Sequence, residues 1–290
     1  MEQSNTAQAL SSRKSIEYYE FPNGTIVKSI PSNGVYRYDP VQRLWELDPS
    51  LTAQFAWDRA YGEPCKFLRK KADIRCDLPV FPSEEEFYPG NTVLIGAYPQ
   101  RSIHDYSPIE WIVLAADGTT ALCISKHGLI TSGYCDPLQA YGKPELLWWK
   151  NSLARDVCNH HFFDTAFSEE DQSRIIPRKM TRVQLGEKTV DSVFLLSEPE
   201  AMHYFPEAAL RKAKPTPYAV QTGAVLGWSE DTKENCGWWL LPEENAYAMQ
   251  DGSIYPKAVF PTGDTQFHGR NIYHRDFTIR PCIQINYRNN

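Results

Sequence analysis

Apolar and polar residues alternate in short runs at the start of the chain, and the spacing changes further along. Tyr18-Tyr19-Glu20-Phe21, Thr25-Ile26-Val27, Val35-Tyr36-Arg37-Tyr38 and Leu44-Trp45-Glu46-Leu47 are strand-like. Turn residues at Pro22-Asn23-Gly24 and Pro31-Ser32-Asn33-Gly34 separate them, so the pattern predicts a small β-meander. Asp48-Pro49 reads as an N-cap and first helical residue of a helix to about Tyr61, with Ala53, Ala56, Trp57 and Ala60 as its apolar stripe. Residues 1–15 read as a tail, 16–71 as an appendage, and 72–90 as a linker, given Pro79, Pro82 and Pro89 around Glu84-Glu85-Glu86.

From residue 91 the pattern is mixed. Val93 to Ala97, Glu110 to Ala115 and Ala121 to Ser125 are predicted strands, the last two joined by an Asp117-Gly118 turn. Leu153, Val157 and His161 recur at helical spacing, which predicts a helix over Ser152 to His161. Ser168 with Asp171, and Ser197 with Glu200, fit a hydroxyl cap followed three residues later by a carboxylate. The chain then returns to strands over 237–241, 246–250, 253–259 and 277–287, with a turn at Asp251-Gly252. Short antiparallel strands, two or three helices and long loops predict an α+β domain over 91–290.

Composition narrows the function classes. Hydrophobic residues make up 42% of the 290, enough for a core, and aromatics 13%. The net charge is −6 and Arg69-Lys70-Lys71 is the only tight basic triplet. That triplet reads as a solvated helix end, and nucleic acid is not an expected partner, because phosphate binding needs clustered cations. No apolar run is long enough to span a bilayer, and Met1 to Lys14 has no apolar secretory core, so a cytoplasmic location without membrane attachment is expected. Cys65, Cys76, Cys123, Cys135, Cys158, Cys236 and Cys282 are irregularly spaced, as expected of reduced thiols.

Several motifs stand in a characteristic order. Gly96-Ala97-Tyr98-Pro99-Gln100 and Ile109-Glu110-Trp111-Ile112-Val113-Leu114 come first. Ala121 to Ser125 and the stretch from Trp149 to Phe167, with Ser152-Leu153-Ala154-Arg155 and Asn159, follow. Val193-Phe194-Leu195-Leu196-Ser197 and Thr216-Pro217-Tyr218-Ala219 come next. Trp238-Trp239-Leu240-Leu241-Pro242, Asp251-Gly252-Ser253 and Ile279-Arg280-Pro281-Cys282-Ile283-Gln284-Ile285-Asn286 complete the series. From about Asn91 onward the chain resembles the bacterial domain-of-unknown-function family 6273. It departs from that family's pattern after the tryptophans, where Leu241-Pro242-Glu243 replaces Arg-Ser-Pro. The element order is also similar to the C-type-lectin-like fold, which the formylglycine-generating enzymes share. The resemblance implies a scaffold that hosts binding modules and enzymes alike.

Candidate sites follow from residue type and position. Trp238 and Trp239 are neighbours in a strand and face opposite sides, so Trp238 is expected in the core and Trp239 on a surface platform with Trp148 or Trp149. The polar loop from Pro261 to Phe277 carries Asp264, His268, Arg270, Asn271, His274 and Asp276, and with Glu243 and Asn245 forms the expected contact surface for a protein or small ligand. The histidine spacing fits no standard zinc pattern, and Glu243-Glu244-Asn245 is only a loose echo of an animal-lectin calcium loop, so no metal or cofactor is expected. His160-His161 suits a helix C-terminus. Arg280 is expected to be structural, paired with a buried carboxylate or with backbone carbonyls behind the tryptophans. The chain therefore reads as a non-enzymatic, calcium-independent binding module. Two alternatives stay open. One is a thiol- or metal-dependent oxidoreductase of the formylglycine-generating type using Cys236 and Cys282, and the other is an assembly module acting through the N-terminal meander.

Overall fold

The computed structural model describes residues 17–20, 26–30, 34–39, 44–47, 66–70, 79–103, 105–135, 149–180, 188–242, 256–265 and 276–288. The chain divides into two compact units, Met1–Cys76 and Asp77–Asn290.

The first unit holds an antiparallel sheet of β1 (Glu17–Glu20), β2 (Ile26–Ile30), β3 (Gly34–Asp39), β4 (Leu44–Leu47) and β5 (Lys66–Lys70), ordered β4-β3-β2-β1-β5. The meander is present, and β5 extends it by pairing with β1. Arg69 and Lys70 therefore lie in a strand and not at a helix end. The helix expected from Asp48 to Tyr61 lies outside the described residues.

The second unit is mixed α+β with two four-stranded sheets. One sheet is β15-β8-β7-β6, formed by β6 (Thr92–Pro99), β7 (Tyr106–Ala116), β8 (Thr120–Ser125) and β15 (Cys282–Asn286), all antiparallel. The β7–β8 turn forms as its sequence predicts. Gly118 takes φ +87°, and the Asp117 carboxylate accepts from the backbone N–H groups of Thr119 and Thr120. The other sheet is β13-β12-β14-β9, formed by β9 (Ile130–Thr131), β12 (Trp238–Trp239), β13 (Ala258–Val259) and β14 (Thr278–Ile279). Trp238 pairs in parallel with Thr278 there, while the other pairings are antiparallel. β14 and β15 belong to different sheets. Arg280-Pro281 marks the crossing, where the proline has no N–H to continue a ladder.

The helices are short, and several carry side-chain caps. α1 (Leu153–Asp156) starts at Ser152, whose hydroxyl accepts from the Arg155 N–H at 3.1 Å. It widens into a π-helical turn, Val157–Phe162, and resumes as α2 (Phe163–Ala166). α3 (Glu169–Arg174) and α4 (Glu198–Tyr204) begin with the reciprocal caps expected at Ser168–Asp171 and Ser197–Glu200. α5 (Ala208–Arg211) and α6 (Pro217–Gln221) follow, the latter capped by Thr216. A hairpin of β10 (Arg178–Met180) and β11 (Thr189–Asp191) lies between α3 and α4. No helix among the described residues is long and apolar enough to cross a membrane.

Trp111 anchors the first sheet's core. Its indole N–H donates to the Ile95 carbonyl at 2.8 Å, and its rings lie near Phe162 and Phe167. Within the stretch expected as a linker, Phe81 and Phe87 pack on this unit. Phe87 is buried and stacks on Tyr287 at 4.6 Å, and Phe81 lies against Phe87 and under Arg174.

The motif between Trp149 and Asn159 has a structural task. Asp191 is fully buried and accepts from the Trp149 indole, Arg155 Nε and the Thr189 hydroxyl at 2.7, 2.7 and 2.6 Å. Asn159 clamps the next residues, accepting from the N–H groups of Ser192 and Val193 and donating to the Val193 carbonyl. A buried carboxylate needs such complete pairing to be tolerated.

Candidate functional site

The expected aromatic platform is core. Trp238 and Trp239 are each fully buried, and both indole N–H groups are engaged. Trp238 donates to the Arg211 carbonyl at 3.0 Å and Trp239 to the Ser132 carbonyl at 2.8 Å. Opposite faces of a strand do separate the two rings, but both faces are covered. Tyr134 and Phe277 pack against Trp239, and Arg280 lies against Trp238. Trp239 therefore cannot serve as a surface platform. Trp149 is buried as well. Trp148, Glu243, Asn245, His268, Arg270, Asn271 and His274 lie outside the described residues. Of the polar loop's other members, Asp264 is exposed in a turn closed by the Phe260 N–H on its carbonyl.

Among the described residues the most exposed aromatic is Trp228, 93% accessible. A ladder of backbone bridges holds its loop in place. Gly128 pairs with Pro215, Ala213 with Cys236, and Cys236 with Leu226. Gly227 donates to the Asn235 carbonyl at 3.0 Å and closes the loop over 227–235. Inside it, Thr232 is buried and its hydroxyl accepts from the Ser229 N–H at 3.1 Å. Thr232 N–H, in turn, donates to the Ser229 carbonyl at 2.9 Å. A Cβ at position 227 would collide with Thr232, so the small residue permits the closure. The result is a tight loop with an open indole.

The loop that carries that indole is rich in charged residues. Lys233 pairs with Glu230 and Lys214 with Glu234. Lys212 Nζ donates to the Asp231 carbonyl oxygen at 3.4 Å. The Asp231 side chain is exposed, and among the described residues no cation pairs with it. The hydrogen bond from Lys214 holds the Glu234 carboxyl below its ordinary pKa. One step inward, Glu110 accepts from Lys126 at 2.7 Å, and its other oxygen lies 3.2 Å from His127 Nε2. Lys126 thereby lowers the Glu110 pKa. His127 Nδ1 lies 3.3 Å from the Lys214 carbonyl, so this cluster adjoins the ladder that carries the loop.

Of the two thiols singled out in the sequence, Cys236 is a rung of that ladder and Cys282 lies in β15. Cys236 Sγ lies 3.3 Å from the Thr278 hydroxyl, and Cys282 Sγ lies 3.9 Å from the Arg280 carbonyl. Both are buried. Burial pushes Cys236 up to about 11 and Cys282 well above its usual value. Five cysteines, at 123, 135, 158, 236 and 282, are free among the described residues. Among the described residues no group of three or more metal-ligating side chains gathers.

No curated protein and no solved structure matches the chain. The family comparison does find a match. Residues 129–287, which include both tryptophan segments, the Trp228 loop and the Arg280 crossing, match a domain of unknown function, DUF6273, and the chain belongs to that family.

Proposed function

We propose that this chain is a non-enzymatic binding module that holds a basic protein segment against Trp228. The observation that carries this reading is a tryptophan left 93% accessible on a loop whose own hydrogen bonds fix its position. Covering an indole returns a few kcal/mol, and exposed rigid tryptophans are efficient anchors. The Asp231 carboxylate, which no cation among the described residues pairs, favours a cationic partner, and the indole face accepts a Lys or Arg side chain. Val220 and Val225, on the chain leading to the loop, add exposed apolar surface. The paired sheets, with a tryptophan strand, a following strand and a closing strand, support the C-type-lectin-like reading of the scaffold. Free buried thiols fit a reducing cytoplasm.

The oxidoreductase alternative rests on Cys236 and Cys282, and burial disfavours the thiolate of each. The assembly alternative predicts self-association of the full chain. A displayed peptide library panned on the wild-type chain tests the binding reading. Selected peptides should carry Lys or Arg and bind Trp228→Ala at least tenfold more weakly. Selected peptides that bind both proteins equally would sink the proposal.

A further inference from the structure

His127 lies between β8 and β9, next to the segment that carries the Trp228 loop. Its backbone is fixed from the core side. The Ser125 hydroxyl donates to the His127 carbonyl at 2.7 Å, and the Ser125 carbonyl accepts from Nε of the buried Arg280 at 3.0 Å. The next residue grips the neighbouring segment. Gly128 N–H donates to the Lys214 carbonyl at 3.0 Å, and the Gly128 carbonyl accepts from the Thr216 N–H at 3.0 Å. That segment in turn holds the loop. The Ala213 carbonyl accepts from the Cys236 N–H at 2.8 Å, where the loop returns, and Lys214 Nζ pairs with Glu234 on the loop itself.

The imidazole adds a further tie at the base of the loop. Nε2 lies 3.2 Å from Glu110 Oε2, and Nδ1 lies 3.3 Å from the Lys214 carbonyl. A carbonyl can only accept. The Glu110 carboxyl, lowered by its bond from Lys126, is ionised at neutral pH and also only accepts. A neutral imidazole has one N–H and the imidazolium has two. Both ties therefore form together only on the doubly protonated ring. In the neutral ring one nitrogen turns its lone pair toward an oxygen, and that contact repels. The charged groups facing the ring are the Glu110 carboxylate from β7 and the Lys126 ammonium beside it, which Glu110 Oε1 neutralises at 2.7 Å. The Lys214 ammonium is engaged by Glu234. Of these side chains, histidine is the one whose charge ordinarily changes between about pH 5 and 8.

We propose that His127 is a proton-operated clasp at the base of the Trp228 loop. In mild acid the ring ties β7 to the Lys214 carbonyl and holds the loop's footing. As pH rises the ring gives up one proton and one tie, and the footing loosens. The sign follows from the donor count, since a bond made only by the protonated form stabilises at low pH and is lost as pH rises. The His127 side chain is 30% exposed, so protons reach it without any opening of the core. The clasp does not depend on what Trp228 binds, and either reading can fail without the other.

Amide hydrogen exchange of the full chain tests the clasp, read at Gly128 and Cys236, whose N–H groups close the ladder. Each rate is divided by the intrinsic rate at the same pH. In the wild type both amides should be about two- to fivefold better protected at about pH 6 than at about pH 8, the effect of one modest hydrogen bond. His127→Gln should show equal protection at the two values. Wild-type protection that does not change with pH overturns the proposal, and so does a change of the same size in His127→Gln. Because the variant can fail to fold, a second measurement uses the ¹⁵N-labelled wild type alone. At about pH 6 both ring N–H protons of His127 should be seen, shielded from water by their acceptors. A ring that shows one such proton or none overturns the clasp.

Discussion

β12 and the 227–235 loop both contain tryptophan, and they treat it in opposite ways. In the strand, Trp238 and Trp239 are enclosed on both faces and each indole N–H finds a carbonyl. In the loop, the hydrogen bonds run beneath Trp228 and leave its ring in solvent. A buried tryptophan serves stability and needs a partner for its one polar atom. An exposed one on a fixed loop contributes little to folding, which leaves it available for recognition.

Substitutions test this contrast. Trp239→Ala should cost about 3–5 kcal/mol by denaturant unfolding, with Trp228→Ala within about 0.5 kcal/mol of wild type. Equal losses at the two positions would erase the distinction. Asp191→Asn should cost about 3 kcal/mol, because it leaves Arg155 facing a neutral group within a buried network. A loss below about 1 kcal/mol would show that network to behave like an exposed pair. Thr232→Val should cost about 1 kcal/mol in unfolding and weaken peptide capture, since it removes the hydroxyl that holds the Ser229 N–H. Unchanged capture would separate recognition from loop rigidity.

The smallest effect concerns acid. Lys126 lowers the Glu110 pKa from its ordinary 4.5, so the ionised carboxylate stabilises the folded chain above that value. The contribution is lost as pH falls through the lower folded value. Glu110 is 37% exposed, so solvent screening keeps the term below about 1 kcal/mol. Glu110→Gln should therefore be less stable than wild type at pH 7, and the two should converge as pH falls through the lowered folded value. A gap that persists in acid would point to packing.

Short-range signals were the most legible in the sequence. The caps at Ser168 and Ser197 and the Asp117-Gly118 turn depend on residues within four positions, and each forms. The alternation at Trp238-Trp239 assigned the two rings to opposite faces. It carried no information on whether distant segments, at Ser132 and Arg211, cover both. Trp228 belongs to none of the sequence motifs and stands in a polar stretch from Gly227 to Asn235. The available signal was a tryptophan flanked by Gly, Ser, Glu and Asp, with no apolar neighbour to pack against. The pairing of β5 with β1 was equally hidden, since the two strands lie far apart in sequence and no local pattern links them.

β15 fastens more of the second unit than its length suggests. It pairs with β8, and its residues bridge to Phe194 and Ile175. During synthesis, β8, the capped helices and the β10–β11 hairpin all leave the ribosome before the strand that closes over them. That sheet edge therefore waits unpaired until residue 286 has emerged. Local elements can form early, but the unit closes late, through contacts distant in sequence, which is a slow route. A chain stopped just short of Cys282 would hold every cap described above and still present an open sheet edge to its neighbours, the condition under which nascent proteins aggregate.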